Sequence, residues 1–139
     1  MNESDMTSRI NTLVRGPTPD EMFAWKINDR FNAGIPDAFY EGPAGFLWVE
    51  YKLVKRKTLP KLLVPTLSAQ QRVRLRHLAT LQPGTVFVVV GVQTAPRTTQ
   101  LFVFSTPDDW ENGYDARSVG AFSLADWAMK VRSICLTKR

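Results

Sequence analysis

The chain has 139 residues, 44% of them hydrophobic, with 18 Lys and Arg against 13 Asp and Glu for a formal charge of +5. That suffices for one ordinary core and is too short for two full-sized domains, so one domain over residues 1–139 is expected. One cysteine, Cys135, and one histidine, His77, exclude a disulfide framework, a cysteine zinc cluster and mechanisms built on several histidines. The opening residues are too polar for a signal peptide and the apolar run at 86–92 is too short to span a bilayer, which points to a soluble cytoplasmic protein.

Residues 3–14 place Met6, Ile10 and Leu13 at spacings of four and three, one face of an amphipathic helix closed by Gly16-Pro17. Residues 22–28 and 35–41 read as strands, the second tolerating Pro36 near its start, where a ladder donor is dispensable. Gly42-Pro43-Ala44-Gly45 is a hairpin connection into 46–52, the clearest strand. Its alternation puts Phe46, Trp48, Glu50 and Lys52 on one face and Leu47, Val49 and Tyr51 on the other. Residues 53–67 form a basic, proline-punctuated loop, long enough to be functional or mobile. Ser68 with Gln71 three residues on is a capping-box pattern, and Leu75 and Leu78 continue a helix that Pro83-Gly84 stops. The β-branched run 85–92 is a strand buried on both faces, 100–105 pairs with it, 107–118 is an acidic loop, and 123–134 is a closing helix that turns Phe122, Trp127 and Val131 inward.

Charge is distributed unevenly. Between Tyr51 and Pro107 there is no acid, while Lys52, Lys55, Arg56, Lys57, Lys61, Arg72, Arg74, Arg76 and Arg97 supply nine positive charges. A polarised surface of this kind attracts a phosphate backbone. Asp37 opens one strand, and Glu50-Tyr51-Lys52 lies in the next. Two carboxylates on neighbouring strands can share a hard divalent cation, and Lys52 on the same face can orient a water or offset charge at a phosphorus centre. Of three Pro-Asp dipeptides, at Asp20, Asp37 and Asp108, only that at Asp37 lies a hairpin's length before the sole acid-x-Lys triplet.

These residues resemble the PD-(D/E)XK nucleases, whose core is a helix, three strands, a helix and a strand. The segments Gly34-Ile35-Pro36-Asp37, Leu47-Trp48-Val49-Glu50-Tyr51-Lys52 and Leu67-Ser68-Ala69-Gln70-Gln71 are most similar to the small stand-alone VRR-NUC branch, found in bacteriophages and bacteria. The resemblance covers residues 3–92. It implies an α/β, restriction-endonuclease-like fold, with an extra strand and C-terminal helix at 100–134. It further implies a Mg²⁺- or Mn²⁺-dependent DNA endonuclease, with Asp37, Glu50 and Tyr51 at the metal, Lys52 as catalytic lysine, Gln71 near the attacking water and Glu3 as an additional acid. Stand-alone members act as homodimers on branched DNA such as Holliday junctions, and a phage gene expressed in the host cytoplasm fits the same likeness. Lys26, Arg30, Lys55, Arg56, Lys57, Lys61, Arg72 and Arg76 are the candidate nucleic-acid contacts.

Plainer readings stand beside each of these. Asp37 can be a turn residue, Glu50 and Lys52 a surface ion pair, and Gln71 merely the cap of Ser68, with Gln70 in its place if the helix starts earlier. The four tryptophans are expected in the core, His77 on the surface, Cys135 inside, and Asp108, Asp109, Glu111 and Asp115 in a solvated loop. A module that keeps this fold only to bind nucleic acid, or to inhibit a host protein, would carry the same residues.

Overall fold

The computed structural model describes residues 1–17, 21–27 and 34–137. The elements are α1 (Glu3–Arg15), β1 (Phe23–Lys26), β2 (Ala38–Gly42), β3 (Gly45–Lys55), α2 (Ala69–Leu81), β4 (Val86–Ala95), β5 (Thr98–Phe104), α3 (Pro107–Asn112) and α4 (Leu124–Leu136). The strands form one sheet in the order β1-β2-β3-β4-β5. Only β3 and β4 run parallel, joined through α2; the other neighbours are antiparallel.

Strand alternation divides the interior into two cores, one on each face of the sheet. On the first face α1 and α4 pack over Ala38, Tyr40, Leu47, Val49, Tyr51 and Val89. On the second, Leu75 of α2 and Trp110 of α3 close over Val88, Val90, Phe102 and Phe104, with Leu63 and Leu67 tucked beneath. Capping starts the helices where the sequence signals it. Asn2 and Asp5 exchange hydrogen bonds at the start of α1, and Ser68 and Gln71 do so at α2.

The structure departs from the sequence expectation in several places. In α1 the core side chains are Met6, Ile10 and Val14, a spacing of four throughout; Leu13 is 43% exposed. Strands β1 and β2 are shorter than expected, so Asp37 precedes β2 instead of lying within it. Strand β3 runs on to Lys55. The basic segment after it is not a free loop: Leu63 and Tyr114 exchange main-chain hydrogen bonds at 2.8 and 3.1 Å, and Pro60, Leu63, Pro65 and Leu67 are buried. The acidic 107–118 stretch contains a helix, because Thr106 caps Asp109 N, Pro107 occupies the first turn where no amide donor is needed, and Asp108 and Asp109 complement the helix dipole. Phe122 is half-buried against Trp127 instead of deep in the core. Trp110 and Trp127 are core residues and Trp48 is half-buried, but Trp25 is 50% exposed on the edge strand. His77 is exposed and Cys135 buried.

Candidate active site

The site forms where the β2 ladder stops and β3 continues. The last β2–β3 pair at this end is Ala38 with Val49, so the β3 amides beyond it have no strand partner on that side. Two acids take their place. Asp37 Oδ2 accepts from Tyr51 N at 2.9 Å, and Glu3 Oε2, from the first turn of α1, accepts from Leu53 N at 3.0 Å. Satisfying β3 thus draws residues 3 and 37 to one point, each committing an oxygen to the main chain.

Glu50 immediately precedes Tyr51 on β3 and is only 1% exposed. Its Oε2 accepts from Gln71 Nε2 at 3.1 Å and lies 3.7 Å from Lys52 Nζ. Its Oε1 is buried without a hydrogen-bond partner among the described residues, as is Trp48 Nε1 two residues earlier on the same face. Burial above all, then the neighbouring Asp37 carboxyl, pushes Glu50 up to about 9, with Lys52 pulling the other way. Asp37 thus lies close enough for its charge to weigh on Glu50.

Gln71 caps α2 and also reaches the acid. Its Oε1 accepts from Ser68 N at 2.9 Å, closing the capping box, and from Lys52 Nζ at 3.3 Å, while Nε2 is turned to Glu50. The approach to α2 is tight. Gly34 has φ +86°, and a Cβ there would lie 2.6 Å from Gln70 O, so only glycine brings the chain leading to Asp37 this close to the helix start. Gln70 itself is exposed.

Of the residues read from the sequence, the structure brings together Glu3, Asp37, Glu50, Lys52 and Gln71. The Tyr51 side chain points to the opposite core, where its hydroxyl accepts from Trp127 Nε1 at 2.9 Å and is 2.8 Å from Tyr40 OH, so only its main chain belongs to the site. Lys26 stands beside it, donating to Ser4 O at 3.3 Å and Ser8 Oγ at 3.1 Å and lining a cavity of about 180 Å³ with Glu3, Ser4, Thr7, Ile27 and Asp37. Lys55, Arg56 and Lys57 line a separate cleft of about 450 Å³ with Gln93, Thr94, Ala95 and Pro96. Lys61 and Arg72 are exposed. Arg76 is engaged, binding Glu111 of α3 through Nε at 3.1 Å and Nη2 at 2.6 Å. Arg30 lies outside the described residues.

The arrangement fits a hard divalent cation. A buried carboxylate with an unpartnered oxygen, touching a second carboxylate, is a poor resting state without a positive charge and a natural ligand pair with one. Among the described residues no group of three or more Asp, Glu, His or Cys side chains is placed to hold a metal ion, so any site here rests on a pair. Two carboxylates with main-chain and water oxygens making up the rest is the ordinary manner of Mg²⁺.

No protein-family model matches the sequence, and no curated protein does. Among solved structures the chain is similar to Hjc of Archaeoglobus fulgidus, a Holliday junction resolvase from an archaeal hyperthermophile, with a TM-score of 0.52 and 18% identity over 93% of this chain and 97% of that one. The likeness is one of fold: a five-stranded mixed sheet with flanking helices. Among the described residues no helix is long and apolar enough to cross a membrane.

Proposed function

We propose that the chain is a divalent-metal-dependent endodeoxyribonuclease that hydrolyses phosphodiester bonds, selective for branched DNA. The observation that carries this reading is Glu50: a fully buried acid with an orphan oxygen, paired with Asp37 and flanked by Lys52 and Gln71. A protein with no use for a cation gains nothing from this arrangement, which an apolar residue would fill more stably. The resolvase named for the similar fold supports the choice of substrate. Within the superfamily the motifs sit nearest the VRR-NUC branch, and a phage enzyme working in its host's cytoplasm is the corresponding setting.

Asp37 and Glu50, with the main chain at Tyr51, would hold Mg²⁺ or Mn²⁺, and the metal would supply Lewis acidity to a phosphate oxygen and a more acidic bound water. The chain's own residues do the remaining work. Glu3 and Asp37 bond to the β3 main chain and so fix where the acids stand. Gln71 holds Glu50 in one orientation and holds Lys52 close by its other amide atom. Lys52 thereby presents its ammonium group at the acid pair, where it offsets the charge that builds on phosphate oxygens during attack. Two copies related by a two-fold axis would suit a four-way junction, which needs two symmetric cuts.

The test is cleavage of labelled linear duplex, single-stranded and four-way-junction DNA in Mg²⁺, Mn²⁺ or EDTA. Metal-dependent cutting that Asp37→Asn and Lys52→Ala abolish, strongest on the junction, is the expected result. Tight binding without cutting in any metal would overturn the catalytic reading and leave a nucleic-acid-binding or inhibitory module.

A further inference from the structure

The sheet face that carries Glu50 is covered unevenly. Helix α2 packs over β4 and α3 over β5, whereas the β1 and β2 end presents aromatic rings. Trp25 pairs with Phe39 and Phe39 with Trp48, so three rings form one row across β1, β2 and β3, the last two with centroids 4.6 Å apart. Phe23 and Phe46 stand one step further along, 6.4 and 5.9 Å from Phe39. Trp25 remains 50% exposed and Phe23 55%. Clustered exposed rings of this size mark a recognition surface more often than an unfinished core.

The register places the acids next to this row. Asp37 immediately precedes Ala38 and Glu50 immediately follows Val49, the last pair of this ladder, so the acids stand two residues along the chain from Phe39 and Trp48. Two strand residues span roughly 6.8 Å, about two rises of a stacked nucleic-acid strand. A DNA strand with a phosphate at the acid pair therefore carries a base one or two nucleotides away to the rings.

We propose that the Trp25–Phe39–Trp48 row is a stacking platform for an unpaired nucleobase beside the cleaved phosphodiester, with Trp25 as its exposed ring. The proposal rests on the nuclease reading and deepens it. Aromatic rings stack on any base, but a base inside a duplex has no free face to offer, so the platform selects strands opened at a branch or gap without reading sequence. A second copy of this chain is the rival occupant. Two half-exposed rings offer on the order of 200 Å², against the roughly 800 Å² per partner that a stable interface buries.

The probe is a dT oligonucleotide, compared with a duplex of equal length, in EDTA so that binding is read apart from cleavage. The oligonucleotide is expected to quench tryptophan fluorescence in the wild type. Trp25→Phe should lose much of the quench while keeping affinity, and Trp25→Ala should lower the preference for dT over duplex roughly tenfold. The same Trp25→Ala chain, given metal, should lose preference for four-way junction over duplex in cleavage. Quenching and its loss in a chain that never cuts DNA would sustain the platform while the nuclease reading fails. Metal-dependent cutting with unchanged preference in Trp25→Ala would overturn the platform and leave the nuclease standing. A wild type that sediments as a dimer and a Trp25→Ala variant that sediments as a monomer would also overturn it, giving the patch to a second copy.

Discussion

Glu50 and Tyr51 are neighbours on β3, equally buried, and the fold treats them in opposite ways. Tyr51 faces α1 and α4, where its hydroxyl is bonded to Tyr40 and Trp127, and the Tyr40 hydroxyl in turn donates to Asn11 of α1. Glu50 faces the α2 side with one oxygen bonded and the other with no partner. A polar group sealed inside and bonded on every side rigidifies a structure; one sealed inside and left short is a liability unless something else arrives. Asn11 Nδ2 is also short of a partner at the end of the Tyr51 chain, but Glu50 is the one ionisable group among the described residues left so, and that sets its face apart.

The largest effect that would test this contrast is on catalysis. Glu50→Gln keeps shape and hydrogen bonding but cannot carry charge, and should reduce metal-dependent cleavage by roughly 1000-fold, measured by single-turnover assays on the preferred DNA. If Glu50→Gln cut as fast as wild type, the asymmetry between the faces would have no functional meaning. On the other face, Tyr51→Phe strands the buried Trp127 Nε1 donor. It should cost about 1–3 kcal/mol of stability in urea unfolding while leaving the cleavage rate within a few-fold, because the Tyr51 side chain does not reach the acids.

A third, smaller effect is in pH. The Glu50 carboxyl sits at about 9 in the folded chain against an ordinary 4.5, so the metal-free fold binds that proton more tightly than the unfolded chain does. Its stabilising contribution is full below pH 4.5 and is lost progressively as pH rises through about 9. Metal-free wild type should therefore lose a few degrees of Tm between pH 5 and 9, more than Glu50→Gln does, and added Mg²⁺ should restore much of the loss. Parallel Tm-against-pH curves for the two chains would remove Glu50 as the strained group.

Much of this was legible from local pattern. The Ser68-Gln71 capping box, the Gly42-to-Gly45 hairpin and the alternation along β3 each rest on residues within a few positions, and the structure has them where spacing puts them. Helix α3 was signalled by Thr106-Pro107-Asp108 but obscured by the acids and Gly113, which suit a loop equally well. What spacing does not carry is contact across the chain. Arg76 meets Glu111 from 35 positions away, and Leu63 is tied to Tyr114, so the basic segment and its arginines look freer in sequence than they are. The bonds of Asp37 and Glu3 to β3 amides depend on where the β2 ladder ends, and that is settled by packing. Trp25 reads as core by residue type; its exposure follows from its place on the edge strand.

Gln71 has two ends that differ by one atom, and both are spoken for. Its carbonyl oxygen is claimed by the Ser68 amide that begins α2, which leaves only the amino end for Glu50. A glutamate in its place would close the same cap and turn an acceptor toward an acid that needs a donor; an alanine would leave both without a partner. The beginning of a helix thereby acts as a latch on the acid cluster: without α2 wound from Ser68, Glu50 lacks its donor and Lys52 its anchor, so the geometry of the proposed centre is complete only with the crossover between the two parallel strands in place.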